Sequence, residues 1–429
     1  MAFTMNSELL QRRFNVIGKN APLFYEEPLE LVRGEGVWLY DAQGKRYLDV
    51  YNNVPCCGHS HPKIVEAMST QAATLNIHTR YLHKNVVSYV ERLTGLFDDS
   101  LSMAMLTCTG SEANELALRM ARHATNAQGI IVTDAAYHGN TEAVGELGTG
   151  FMPEAAISQR VIGVPPPDSY RGLPGVSAEG LSSAYVDRVQ QAIDTFAERG
   201  IGTAGILICP EFANEGLLNA PAGFIEQAIA RVRAAGGLYI ADEVQGGFGR
   251  TGDHWWSHQA YDCVPDIVTL GKPMGNGHPL AGVVATADLV NDFSEWAMYF
   301  NTFAGTPVSC AIGLAVLDVL EQENLLANAV TTGAYVADGL RALQERHDII
   351  GDVRQKGMFF AAELVTDRVT KAPAEEQANA LINAMCKRGV LISRIGQYGN
   401  ILKMRPPMPF QPEHADLLIS ALDECLQAL

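Results

Sequence analysis

Positive charge is scarce in this sequence. Nine lysines occur in 429 residues, Lys+Arg number 31 against 48 Asp+Glu, and the formal net charge is −17. No Lys/Arg-rich run interrupts that balance, so counterion release from a nucleic-acid backbone has no source and no nucleic-acid partner is expected. Long apolar runs are also missing. Nothing approaches the roughly 18 consecutive apolar residues of a membrane span, and the first residues, MAFTMNSELLQRRFN, lack the apolar core of a secretory signal. No membrane partner is expected, and the expected location is cytoplasmic. The eight cysteines, Cys56, Cys57, Cys108, Cys209, Cys263, Cys310, Cys386 and Cys425, show no paired spacing. That excludes a disulfide framework and suits buried thiols in a reducing compartment. Their one local cluster, Cys56-Cys57-Gly58-His59-Ser60-His61, has no second ligand pair at zinc spacing, so no metal is expected.

What is present is a large apolar content. With 47% hydrophobic and 18% charged residues, intrinsic disorder is excluded, and the length predicts two or three domains. Residues 29–50 alternate apolar and polar around Gly34, Gly36 and Gly44, which predicts short antiparallel strands. From Ala104 to Thr286, the β-rich runs AMLTC, IIVT, GILIC, GLYIA, DIVTL and AGVVAT alternate with helical patterns such as Ser111–His123 and Gly223–Ala235. Strands alternating with helices predict an α/β fold with a mostly parallel sheet covered on both faces. Beyond Pro307 come two helical stretches, about 308–322 and 324–346. Strands at 357–365, 390–393 and 401–405 follow, interleaved with helices near 373–388 and 412–427. The expected division is therefore 61–307 as a large domain and 308–429 as a smaller α+β domain, with 1–60 completing the latter. Pro165–Pro167 and 172–181 read as surface loops.

Lys272 stands apart from the solvated lysines. It follows the apolar run Asp266-Ile267-Val268-Thr269-Leu270 and opens the turn Gly271-Lys272-Pro273-Met274-Gly275. Its amine is thus expected at the carboxyl edge of the sheet, where ligands bind in open α/β folds. A lysine there suits Schiff-base chemistry with a carbonyl, and also an ordinary surface turn. Asp242 and Glu243 end the run Gly237-Leu238-Tyr239-Ile240-Ala241 at the same edge, and a carboxylate there needs a positive partner or several donors. A helix cap or ion pair would equally explain it. Gly247–Gly252 matches GxGxxG, but no helical pattern follows and no acidic residue ends a second strand at the required distance, so a nicotinamide site is not expected. Thr109-Gly110-Ser111-Glu112 lies between a strand and an amphipathic helix. It can cradle a phosphate or simply cap the helix. Tyr137-His138-Gly139 follows the strand IIVT and would place an aromatic ring at the same edge.

Taken together, GSEANELALRMAR, AAYHGN, ADEVQGGFGRTG, TLGKPMGNGHPLAG and NTFAGTPVSCAIGLAVL resemble, in order and over nearly the whole chain, the class III (omega-type) aminotransferases. The resemblance implies pyridoxal 5'-phosphate as cofactor and PLP fold type I, the aspartate aminotransferase fold with a seven-stranded, mostly parallel sheet in the large domain. It implies that Lys272 forms the internal aldimine and then shuttles the proton, and that Asp242 holds the pyridinium proton. Gln245 would contact the ring's phenolic oxygen, Gly110 and Ser111 the phosphate, and Tyr137, with His138 beside it, the ring face. Thr302 would reach the phosphate of the neighbouring subunit's cofactor, implying a homodimer or a dimer of dimers with shared sites. Glu211 would lie near the ring. Arg405 would take the substrate carboxylate, with Arg80 and Tyr51 also on the substrate side.

The implied activity is ping-pong transfer of an amino group from a small-molecule amine or amino acid donor to an oxo-acid acceptor such as pyruvate. Asp49–Val54, Thr79–His83, Pro167–Gly172 and LKMRPPMPF most resemble a branch that also contains phospho-lyases acting on ethanolamine phosphate. Elimination of phosphate is therefore the alternative. Arg80, Arg171 and Arg405 are candidates for its phosphate pocket, whereas Glu215 would oppose an anionic substrate if it faced the cavity.

Overall fold

Aliphatic and β-branched runs bounded by glycine-containing turns build a seven-stranded sheet in a computed structural model that describes residues 3–150 and 152–429. Across the sheet the strands are Met103–Thr107, Ala281–Ala285, Ile267–Leu270, Leu238–Asp242, Thr203–Ile208, Gly129–Thr133 and Val161–Val164. Ala281–Ala285 is antiparallel to both its neighbours, and the remaining strands run one way. Their carboxyl ends therefore share one edge. Successive side chains leave opposite faces, so each strand feeds two cores. Ile130, Val132 and Ile240 pack with Leu116, Ala117 and Met120 of the helix Gly110–Thr125. Ile131, Ile206 and Tyr239 pack on the other face with Val189 of Leu181–Glu198 and Ile229 of Phe224–Ala234. Double-sided burial is why these strands read as continuous apolar runs.

Val161–Val164 was not among the runs marked in the sequence. It is short, contains Gly163 and leads into three prolines, as an edge strand can. Ile350–Lys356 was missed for a different reason. Its sequence IGDVRQK is mostly polar, and pairing with Phe359–Asp367 carries it.

The N-terminal strands Leu31–Glu35, Trp38–Asp41 and Arg46–Asp49 pair antiparallel. Leu48 and Asp49 then pair in parallel with Val390 and Leu391, which joins the two ends of the chain in one four-stranded sheet. A second antiparallel sheet contains Ile350–Lys356, Phe359–Asp367, Ile401–Met404 and Ser393–Ile395. The helix Leu325–Arg346 packs on it and on Pro412–Gln427. No helix among the described residues is long and apolar enough to cross a membrane.

A buried ion network within the second sheet ties it to the loops that follow Val161–Val164 and Thr203–Ile208 of the seven-stranded sheet. Arg354 donates to Glu363 Oε2 at 2.8 Å, to Asp352 Oδ2 at 2.7 Å and to the carbonyl of Gly216 at 3.1 Å. Arg171 donates to Glu363 Oε1 at 2.6 Å and to the Lys371 carbonyl at 2.8 Å. Both Arg354 and Glu363 are almost fully buried, so removing one partner leaves a charge without water or counter-ion. Arg354→Leu is expected to cost about 3–5 kcal/mol, seen as a lowered thermal midpoint of the holoenzyme in calorimetry.

Candidate active site

Asp242 ends its strand with its side chain buried, and three donors meet it. Asn114 Nδ2 donates to Oδ2 at 3.1 Å, His138 Nδ1 lies 2.6 Å from the same oxygen, and the Val244 amide donates to Oδ1 at 3.0 Å. Glu243, the other carboxylate of the pair, points elsewhere. It accepts from the Ser257 amide and hydroxyl and the His258 amide at 2.7–3.0 Å, closing the turn that follows. The two adjacent carboxylates thus have separate tasks.

Lys272 begins a tight 3-10 turn immediately beyond Ile267–Leu270. Burial lowers its amine pKa and the Arg405 charge adds to that, while Asp242 opposes the fall. Lowering favours the neutral, nucleophilic amine. Arg405 itself is buried at the end of Ile401–Met404. Its amide donates to Val50 O at 2.7 Å, and its guanidinium donates to Gln245 Oε1 and Ala213 O. Arg405 and Gln245 are therefore brought together, and each holds the other. Tyr51 is close to Arg405, whose charge offsets part of the rise that burial imposes on the phenol.

A residue absent from the sequence reading joins this cluster. The Lys403 amine lies 5.2 Å from the centre of the Tyr51 ring. Burial, Arg405 and Lys272 push it well below the ordinary lysine range. It has no carboxylate partner among the described residues.

At the helix start, Thr109 Oγ1 accepts from the Glu112 amide, and Glu112 Oε2 accepts from the amides of Thr109 and Cys108. This capping box fixes the first turn. The amides of Gly110 and Ser111 head the helix, where no intrahelical acceptor reaches them. A Cβ on Gly110 would stand 3.0 Å from Val244, so this turn is pressed against the one after Asp242. Ser111 Oγ accepts from the Asn140 amide at 3.2 Å. Gly139, at φ +145°, leaves that hydroxyl room; a Cβ there would lie 2.6 Å from Ser111 Oγ. Tyr137 is half exposed beside buried His138, whose Nε2 has no partner. A phosphate-sized cradle, a solvent-facing ring, a single unfilled carboxylate position and an amine without an acceptor are the donor set that pyridoxal phosphate requires.

Other expected residues lie apart. Thr302 is exposed on a loop anchored by Asn301, which donates to Glu112 Oε1 at 3.2 Å. Arg80 stacks 3.8 Å from the centre of the Phe300 ring, and so belongs with that loop and not with Lys272. Arg171 gives Nε to Glu363 and Nη1 to the Lys371 carbonyl, while its buried Nη2 has no partner among the described residues. Glu211 pairs with Lys356 at 3.0 Å and lines a cavity of about 400 Å³ with Tyr261 and Gln355. Burial raises its pKa, and Lys356 only partly offsets this. Glu215 is a second carboxylate that feels the charge of His138. It is buried, accepts from Thr133 Oγ1 at 2.5 Å and is raised by burial, with His138 among the groups that lower it. It is a hydrogen-bonded wall residue. His59 and His61 of the Cys/His cluster are paired with Asp49 and Glu323.

Gly139→Ala is expected to weaken cofactor binding by at least about tenfold, since the new methyl meets Ser111 and φ is unfavourable for a side chain. Titration of apoenzyme with pyridoxal phosphate, followed by absorbance, reads this. Arg405→Gln removes a positive neighbour of Lys272. The acid limb of imine formation with the apoenzyme should then move to higher pH, because the amine holds its proton longer.

The profile of the family described as aminotransferase class-III matches residues 24–426. The chain is 38% identical over 435 aligned positions to an alanine–glyoxylate aminotransferase 2-like protein of Drosophila melanogaster, covering 99% of this chain and 87% of that one. It is 36% identical to an ethanolamine-phosphate phospho-lyase homolog 1 of Caenorhabditis elegans, covering 98% and 93%. Among solved structures, a phospholyase from Arthrobacter in complex with phosphoethanolamine superposes with a TM-score of 0.95 at 48% identity, covering 98% of this chain and all of that one. The seven-stranded sheet, the lysine and the carboxylate at its carboxyl edge thus belong to an enzyme of PLP fold type I, and the chain is a member of the class-III aminotransferase family, whose cofactor is pyridoxal phosphate.

Proposed function

We propose that this enzyme eliminates phosphate from a small phosphorylated primary amine of the phosphoethanolamine type. The observation that carries this reading is Lys403, a half-buried amine that feels the charges of Arg405 and Lys272 and has no carboxylate partner among the described residues. Burying unpaired positive charge is unfavourable, and a doubly charged phosphate monoester would offset it better than a single carboxylate. The likeness to the Arthrobacter phospholyase supports the same substrate class.

When bound, pyridoxal phosphate supplies the electron sink. Asp242 holds the proton on the ring nitrogen, Gly110 and Ser111 bind the cofactor phosphate, and Tyr137 covers the ring. The Lys272 amine takes the proton from the carbon bearing the substrate nitrogen. Lys403 and Arg405 hold the substrate phosphate so that its carbon–oxygen bond lies in line for departure. With water, phosphoethanolamine gives acetaldehyde, ammonia and inorganic phosphate, and no oxo acid is consumed.

A second reading keeps the same Lys272 and Asp242 and moves the amino group to an oxo acid such as pyruvate. Arg405 favours it, because a guanidinium suits an α-carboxylate, and so does the Drosophila relative's name. In either case we place the site in a homodimer. Thr302 is exposed beside Phe303, Met298 and Trp296, an apolar surface of the kind that partners cover. The division into 61–307 as cofactor domain and 308–429 with 1–60 as small domain is supported by the pairing of Leu48 with Val390. The eight unpaired cysteines support a cytoplasmic location.

Purified holoenzyme given phosphoethanolamine alone should release phosphate and acetaldehyde catalytically. Product formation only when pyruvate is added, with no phosphate released, would instead establish the transaminase. Lys403→Met should lower kcat/KM for phosphoethanolamine by about 100-fold while changing that for an unphosphorylated amine by less than about threefold.

A further inference from the structure

Four polar side chains from four separate elements meet out of water behind the strand ends. They are Asn114 of the helix Gly110–Thr125, His138 of the loop after Gly129–Thr133, Asp242, and Thr269 of Ile267–Leu270, and none is more than 4% exposed. Asn114 touches the other three. Its Oδ1 accepts from Thr269 Oγ1 at 2.7 Å, and its Nδ2 donates to the His138 carbonyl at 2.7 Å and to Asp242 Oδ2 at 3.1 Å. The amide can stand only this way round. Turned over, its oxygen would face a carbonyl and a carboxylate, three acceptors with no hydrogen among them.

That orientation has consequences for its neighbours. A carboxylate oxygen offers about two lone-pair positions, and Oδ2 receives one hydrogen from Asn114, so one position remains for His138 Nδ1 at 2.6 Å. Since a carboxylate only accepts, Nδ1 must be the donor. In the neutral imidazole the lone pair then sits on Nε2, a buried atom without a partner among the described residues. Oδ2 is thereby filled. Oδ1 receives the Val244 amide and keeps one open position, which is the acceptor a protonated ring nitrogen needs.

We propose that Asn114 is a positioning residue for the cofactor. Through one amide it fills the second position on Asp242 Oδ2 beside His138 Nδ1, ties down the His138 backbone, and so leaves a single open acceptor position, on Oδ1, for the ring nitrogen. This holds for either reaction above, because it concerns the cofactor and not the substrate. Thr269 orients the amide and so acts one step further back.

The test uses the full-length protein labelled with ¹⁵N-histidine, as apoenzyme. Wild type should show His138 as the Nδ1–H tautomer. Asn114→Ala should keep that tautomer but move the His138 Nδ1–H resonance, because the Asp242 oxygen it bonds loses its second donor, and Asn114→Asp, which sets acceptor against acceptor, should move it further. In holoenzyme carrying ¹⁵N-pyridoxal phosphate, Asn114→Ala should move the ring-nitrogen resonance toward the unprotonated value and raise the cofactor dissociation constant on the order of tenfold. A merely structural asparagine would lower the thermal midpoint and leave both resonances where they are. Thr269→Val removes one hydroxyl at nearly constant shape, and so serves if Asn114→Ala folds poorly; it should shift the same resonances by less. Unmoved His138 and ring-nitrogen signals in a folded Asn114 variant, or in Thr269→Val should the Asn114 variants not fold, would overturn the proposal.

Discussion

Burying a carboxylate costs several kcal/mol unless its lone pairs are met, and Asp242 is buried at the point where the sheet ends. Its donors come from a helix, from a loop two strands away and from the turn that follows it. Each must arrive at about 3 Å, so the strand order, the seating of the helix Gly110–Thr125 and the path of residues 134–141 are coupled to one side chain. The tight packing of Gly110 against Val244 and of Gly139 against Ser111 expresses the same requirement in backbone terms. Bulk at either glycine would separate the elements that Asp242 needs together.

The positive groups at this edge are treated in the opposite way. Lys272 and Lys403 have burial and like charge against them, and Arg405 is held by two neutral oxygens, those of Gln245 and Ala213. Arg354, by contrast, is paired with Glu363 and Asp352, whereas Arg250, equally buried, bonds only the Met358 and Pro406 carbonyls. On the function proposed above, the cations left short of counter-charge beside Lys272 would receive the substrate's anionic group. The net charge of −17 does not cancel this, because exposed carboxylates more than about 10 Å away are screened.

Lys272 and Asp242 were legible because each closes an apolar run, and in an α/β pattern such positions share an edge. Gly110, Ser111 and His138 were legible for the same reason, each sitting in a turn after a strand. Asn114 was harder, although positions 114, 117, 118 and 121 form the helix's buried stripe and a polar residue on that stripe was a signal. Lys403 gave less warning. Nothing local tells a lysine in a strand of mixed burial that two other cations will approach from distant segments. The pairing of Glu211 with Lys356 and of Arg171 with Glu363 was illegible for a related reason, since partners 145 and 192 residues apart are chosen by tertiary packing. Of the missed strands, Val161–Val164 is apolar but only four residues long at the sheet edge, and Ile350–Lys356 is mostly polar.

The two halves of the site have different structural origins. Cofactor-side groups, Gly110, Ser111, His138, Asp242 and Lys272, come from turns of the central sheet. The cations Lys403 and Arg405 come from the strand region 401–405, and the Arg405 amide is tied to Val50 near the other end of the chain. The guanidinium bonds to Gln245 and Ala213 join the halves, as does Arg250, which donates to Pro406 O at 2.8 Å. A change of charge on the terminal side can therefore alter which substrate group is held without disturbing the hydrogen bonds that fix Asp242. On the function proposed above, that separation gives a physical basis for one family to contain proteins named for amino-group transfer and for phosphate elimination: the lysine, the aspartate and their supports would perform the proton work in both, and what departs would depend on which group the cations at the far wall hold in line.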